Sequence, residues 1–233
     1  GGGMRMLYPD VRHFSLRDYG NRVGIYRILK VLDKYVAKPT IAVNAELAQR
    51  YPSLCERIVH RGGEIIAHGL HMDALHHGLV DPAIEAERVR TTCEILRGAT
   101  GQAIAGWLSP GKSQSFRTPD LLAQNGIRYM CDWINDDMPY RVTTEHGPVV
   151  ALPLSTELED TYVLMNNQHS EQSYVEHLWI PSQRSSGQGW PSLGPLHSSV
   201  AHGLAPSHQE ARRNACLRHP SKWCLVGDSV RNY

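Results

Sequence analysis

No two cysteines in this 233-residue chain stand in a C-x-x-C spacing, which removes the common structural zinc motifs. The five cysteines (55, 93, 131, 216 and 224) are odd in number and scattered, so a disulfide framework is not the expected scaffold. Cys55 and Cys93 fall in amphipathic helical patterns and read as core residues of a cytoplasmic protein in reducing surroundings. No apolar run approaches the roughly eighteen residues of a membrane span, and the opening Gly-Gly-Gly-Met-Arg-Met lacks the apolar segment of a signal peptide. Neither sign of charge prevails, with 24 basic against 23 acidic residues. Without a basic stripe or an aromatic-interleaved patch, nothing points to nucleic acid or a membrane as partner. There is no P-loop, no H-E-x-x-H and no G-x-S-x-G, and the Gly20 to Gly24 spacing is too weak for phosphate binding.

What the chain does have is histidine in one place. Five of its thirteen histidines (60, 68, 71, 76 and 77) fall in one short window. Within it, Ile65-Ile66-Ala67 is too short for a helix and bounded by glycine on both sides, so it reads as a buried strand that ends at His68. At that carboxyl end of an α/β sheet ligands and chemistry collect. A hydrogen-bonded structural histidine at 68, with His76 and His77 solvated on the following loop, is the alternative.

The remaining pattern is one of alternating elements. Ile25, Ile28, Leu29, Leu32, Tyr35 and Val36 predict a helix over 21–36, ended by Lys38-Pro39. Strands are expected over 40–44, 64–68, 103–108, 127–132 and 149–154, and helices over 45–61 with a break at Pro52, from Asp81-Pro82 to Gly98, and from Thr118 to Gly126. Alternation on this scale means βα units around a parallel sheet or barrel. Asn44, His68, Ser109, Asp132 and Ser155 each close one of the five strands, so a parallel arrangement brings all five to one rim, although asparagine, serine and aspartate are also ordinary turn residues. From about 178 the chain becomes rich in Ser, Gly, Pro and His and loses periodicity, which predicts a divergent, loop-rich tail over 178–233. Trp223, Leu225, Val226 and Val230 could return to order. The whole, 1–233, reads as a single catalytic domain.

Histidine and carboxylate at one rim suit hydrolysis, one group activating water and the other protonating the leaving atom. Asp132, Asp136 and Asp137 lie within six residues, and crowding could raise one of their pKa values toward that of a working base. Tryptophans 107 and 133, beside these residues, could stack on a sugar ring.

In combination, Gly20-Asn-Arg-Val-Gly24, Pro39-Thr-Ile-Ala-Val-Asn44, Glu64-Ile-Ile-Ala-His-Gly69, Gly106-Trp-Leu-Ser-Pro110 and Cys131-Asp-Trp-Ile-Asn-Asp-Asp137 resemble the polysaccharide deacetylase superfamily over residues 8–177. The nearest likeness is to its allantoinase-like and cyclic-imide hydrolase-like branch. The resemblance implies a distorted (β/α) barrel of about seven strands and hydrolysis of a non-peptide carbon–nitrogen bond. His68 matches the first histidine of the family's H-x-x-x-H motif, a metal ligand, while the second falls on Met72. Leu108-Ser109-Pro110 matches the arginine-proline motif without its arginine, Asp132 falls in the aspartate-tryptophan motif, and Leu196-His197 matches the late leucine-histidine motif with its proton-donating histidine. The family's opening strand, bearing an acidic pair, is expected upstream of this chain's start, so the barrel is expected to be incomplete.

The expected assignment is therefore His68, Asp132 and His197 as catalytic residues, and Asn44, Trp107, Ser109, Trp133, Asp136 and Ser155 as substrate contacts. The cofactor is none, or a divalent metal such as zinc held weakly through His68. Partners are a carbohydrate or small-molecule substrate, with a homo-oligomer allowed. Removal of N-acetyl groups from a carbohydrate is the leading expectation, opening of a small cyclic amide the alternative, and an inactive ligand-binding member the second alternative.

Overall fold

A computed structural model of the chain describes residues 11–176, 198–200 and 223–226. The leading helical segment has two parts, α1 (Val11–Tyr19) and α2 (Ile25–Lys34), joined through one widened π turn at Gly20–Gly24 with both glycines buried. The expected continuation to 36 does not occur. Val36 turns left-handed (φ 54°) while the amides of Tyr35 and Ala37 both bond the Leu32 carbonyl, which closes the helix and leaves Val36 86% exposed instead of on the apolar face.

Strand β1 (Pro39–Val43) is buried along its whole length, as a parallel strand covered on both sides should be. Pro52 splits the next helix as expected, into α3 (Ala45–Arg50) and α4 (Pro52–His60), with the proline at a helix start. Strand β2 (Glu64–Ala67) pairs in parallel with β1. Helix α5 (Pro82–Thr100) opens on Asp81, whose carboxylate accepts from the amides of Ala83 and Ile84, and closes on left-handed Gly101. The expected strands 103–108 and 127–132 shrink to β3 (Gly106–Trp107) and β4 (Tyr129–Met130), with α6 (Thr118–Gln124) between them. Ile104 is left-handed (φ 45°), so the chain enters the ladder only afterwards. Strand β6 (Val149–Ala151) pairs with β4. Ahead of it lies an unforeseen antiparallel partner, β5 (Tyr140–Val142), whose Tyr-Arg-Val pattern was hidden among polar neighbours.

Beyond β1 the sheet continues in parallel with β8 (Trp223–Val226) and then β7 (Ser198–Val200), so that part of the tail does return to order. The strand order is β5-β6-β4-β3-β2-β1-β8-β7, parallel except at β5, and no pairing among the described residues closes the ring. Alternation sorts the side chains into two cores. Ile41, Val43, Ile65, Ala67, Trp107, Met130 and Val149 meet the apolar faces of α2 to α6 on the outer side, while Ala42, Ile66, Leu108, Cys131 and Leu154 form a smaller inner cluster. Cys55 and Cys93 lie in the outer core, where burial pushes both thiols up to about 11. Among the described residues no helix is long and apolar enough to cross a membrane.

Candidate active site

The carboxyl ends of β2, β3 and β4 lie side by side. At the end of β2, the amide of His68 continues the ladder to the Val43 carbonyl (3.0 Å). Its ring is 2% exposed, with Nδ1 2.6 Å from the Leu108 carbonyl. A carbonyl can only accept, so Nδ1 carries the proton and Nε2 is the basic nitrogen. Gly69 follows at φ +71°, where a Cβ would lie 2.5 Å from Pro110 Cγ, so the loops after β2 and β3 touch and position 69 has room only for hydrogen.

At the end of β4, Asp132 turns its carboxylate onto the loop after β3. Its Oδ1 accepts from the Ser109 amide (2.7 Å), and its Oδ2 from the Ser109 hydroxyl (3.1 Å) and the Gln114 side-chain amide. Burial pushes the Asp132 carboxyl up to about 7, against the opposing pull of Ser109, Gln114 and the Lys112 ammonium. Asp132 can therefore hold or release a proton near neutrality. Ser109, fully buried, also receives the Trp107 indole N–H (2.8 Å). Lys112, left-handed at φ 53°, is ion-paired with Glu159.

His68, Ser109 and Asp132 thus come together, but beneath the surface and not on an open rim. Other expected contacts do not join them. Asn44 is fully buried and caps α3, its Oδ1 accepting from the Leu47 amide (2.9 Å), which is cap chemistry and not substrate binding. Trp107 cannot meet a sugar, because it is 0% exposed on the helix side of the sheet. Trp133 packs partly buried against the same outer core. Asp136 is exposed and accepts from the Met138 amide in its own turn, and exposed Ser155 bonds Glu157. His197 lies outside the described residues.

His76, placed on the following loop and solvated in the alternative reading, is fully buried with its ring edge-on to Trp107 at 5.6 Å. Its Nδ1 is 3.4 Å from Oε1 of Glu85, which sequence reasoning missed. Glu85 is fully buried and accepts from Ser115, Thr118 and Arg117. Burial alone would raise its carboxyl, but the hydroxyls of Thr118 and Ser115, with His76 and Arg117, hold it below the usual range. Burial lowers His76, against the attraction of Glu85. One signal was present in the sequence: Glu85 lies on the helical stripe of Val89, Cys93 and Leu96.

These residues do not fit a metal. Met72 stands buried where the second imidazole is expected, and among the described residues no three histidine, cysteine, aspartate or glutamate side chains gather to hold an ion.

Comparison with known proteins places this arrangement. The polysaccharide deacetylase family model matches residues 17–130. A peptidoglycan deacetylase of Helicobacter pylori is 27% identical over 127 residues, which are 53% of this chain and 42% of that protein. Puue allantoinase superposes with a TM-score of 0.67 at 23% identity, covering 93% of this chain and 62% of its own. A probable polysaccharide deacetylase from Pseudomonas aeruginosa PAO1 superposes with a TM-score of 0.62 at 22% identity, covering 91% and 61%. The chain therefore spans less than two thirds of these relatives, and its open sheet has the fold of their (β/α) barrels. Through residues 17–130, which include His68 and Ser109, the chain is similar to the polysaccharide deacetylase family.

Proposed function

We propose that the chain is a hydrolase of non-peptide carbon–nitrogen bonds that removes N-acetyl groups from a carbohydrate. The observation that carries this reading is the buried group of His68, Ser109 and Asp132 at the ends of three adjacent strands, inside or bordering the family match. The resemblance of the Helicobacter pylori relative, a peptidoglycan deacetylase, supports the carbohydrate class. Phe116, fully exposed two residues from Gln114, is the aromatic better placed than Trp107 to lie against a sugar ring. The buried thiols of Cys55 and Cys93 are in keeping with a cytoplasmic setting.

In this reading His68 Nε2 takes a proton from water as its oxygen bonds the amide carbonyl carbon. The carbon–nitrogen bond then breaks, and the protonated His68 passes that proton on to the departing nitrogen. Asp132 stays behind it as a carboxylate, held in place by the Ser109 amide and hydroxyl and the Gln114 amide. No step is assigned to a metal, because among the described residues no second or third donor gathers beside His68. Zinc titration should give weak binding, and tight stoichiometric zinc abolished by His68→Ala would overturn that expectation. The same donor set favours, as a second reading, ring opening of a small cyclic amide without metal.

A panel of N-acetyl sugars, chitin and peptidoglycan fragments, allantoin and cyclic imides, assayed for released acetate or ring opening, tests both readings. Acetate release supports the first and ring opening the second. Saturable binding without turnover would replace both with a ligand-binding role.

A further inference from the structure

We propose that Asp132 is a positioning residue for His68, acting through the single peptide unit that joins Leu108 to Ser109. The inference rests on the hydrolase reading of this site. The carbonyl that accepts from His68 Nδ1 belongs to Leu108, and the amide that donates to Asp132 Oδ1 belongs to Ser109. These are the two ends of one planar group, whose C=O and N–H point in opposite directions.

The ladder explains why the two side chains meet it from opposite flanks. The Leu108 amide bonds Ala67 of β2, and the Cys131 amide bonds the Trp107 carbonyl from β4. The next rung on each flank of β3 has no backbone partner of this kind. The imidazole of residue 68 fills it on the β2 side, and the carboxylate of residue 132 fills it on the β4 side. The result is a continuous series, imidazole N–H to peptide to carboxylate, with all its members buried. Hydrogen bonds in series polarise one another, by about 10–30% per bond in a low-dielectric interior. Negative charge on Asp132 draws on the Ser109 N–H, loads the Leu108 oxygen and strengthens its hold on the His68 Nδ1 proton. That keeps the ring in the tautomer whose Nε2 is basic. The arrangement does what a carboxylate does for histidine in a direct pair, with a peptide interposed.

Residue 109 allows the connection to be cut. Ser109 has φ −66° and ψ 148°, angles that proline adopts, so Ser109→Pro removes the N–H with the backbone path kept, while Ser109→Ala removes only the hydroxyl. The full chain, labelled with ¹⁵N-histidine, would be observed by NMR at about pH 8.5, above the Asp132 value of about 7. We expect the His68 Nδ1 proton resonance to move upfield, toward a weaker hydrogen bond, in Asp132→Asn and in Ser109→Pro. In Ser109→Ala it should stay. kcat should fall in the first two with KM little changed.

An unmoved resonance in Asp132→Asn overturns the proposal, as does an equal displacement in Ser109→Ala. If Ser109→Pro does not fold, the near-isosteric Asp132→Asn still decides. Failure of the hydrolase reading would be recognised separately, as a wild-type protein without turnover whose histidine resonances still respond as described.

Discussion

Two buried carboxyls in this molecule respond to pH in opposite senses. Asp132 is neutral-favouring: its folded value of about 7 lies above the ordinary 3.8, so its contribution is complete below the ordinary value and is lost as pH rises through 7. Glu85 and His76 are both lowered by the fold, so their contributions are present above their ordinary values and are lost as pH falls. Melting temperature should accordingly drop between pH 5 and pH 8 more in the wild type than in Asp132→Asn. An identical slope in the two would show that Asp132 is not buried as an acid. For turnover, His68→Ala and Asp132→Asn should each cost about 10²–10⁴-fold. The control must be His77→Ala, at an exposed position, and not His76→Ala, because removing a fully buried ring would unsettle the fold. A loss with His77→Ala comparable to that of the other two would show that the wrong histidine has been assigned.

At the scale of elements, α5 anchors the site without touching it. Its first turn is capped by Asp81 and carries Glu85, which gathers Ser115 and Arg117 from the segment between β3 and α6, and Thr118 from the start of α6. That segment also carries Gln114, one of the donors to Asp132. Asp81→Ala should lower stability by about 1 kcal/mol, as loss of an N-cap does, with activity kept. Glu85→Ala leaves Arg117, Ser115 and Thr118 facing an empty buried space, and losses of about 3–5 kcal/mol are usual when one partner of a buried pair is removed. Chemical denaturation of both variants checks the order. Equal effects would mean that the Glu85 cluster is merely peripheral.

For the whole molecule, the alternation of elements was legible because apolar period and glycine or proline punctuation agree from Ile25 to Ala151, and Asp81-Pro82 and Pro52 mark helix starts where they should. The short ladders of β3 and β4 were not legible, since the apolar runs around them continue beyond the pairing that neighbours permit. Of the five strand-end residues, His68, Ser109 and Asp132 converge, whereas Asn44 serves a helix cap and Ser155 a surface turn. Strand-end position does not distinguish a functional polar group from a capping one; the partner atom does, and it comes from distant sequence. Trp107 and Glu85 were misread or missed for a related reason: which side of the sheet a residue faces depends on what packs there. Gly69 and Pro110 carry a last consequence. Because any side chain at 69 would strike the Pro110 ring, the side chains tolerated at the two positions are coupled. Gly69→Ala alone should be severely damaging, and Pro110→Gly should recover part of the loss, as sign epistasis between residues forty-one positions apart.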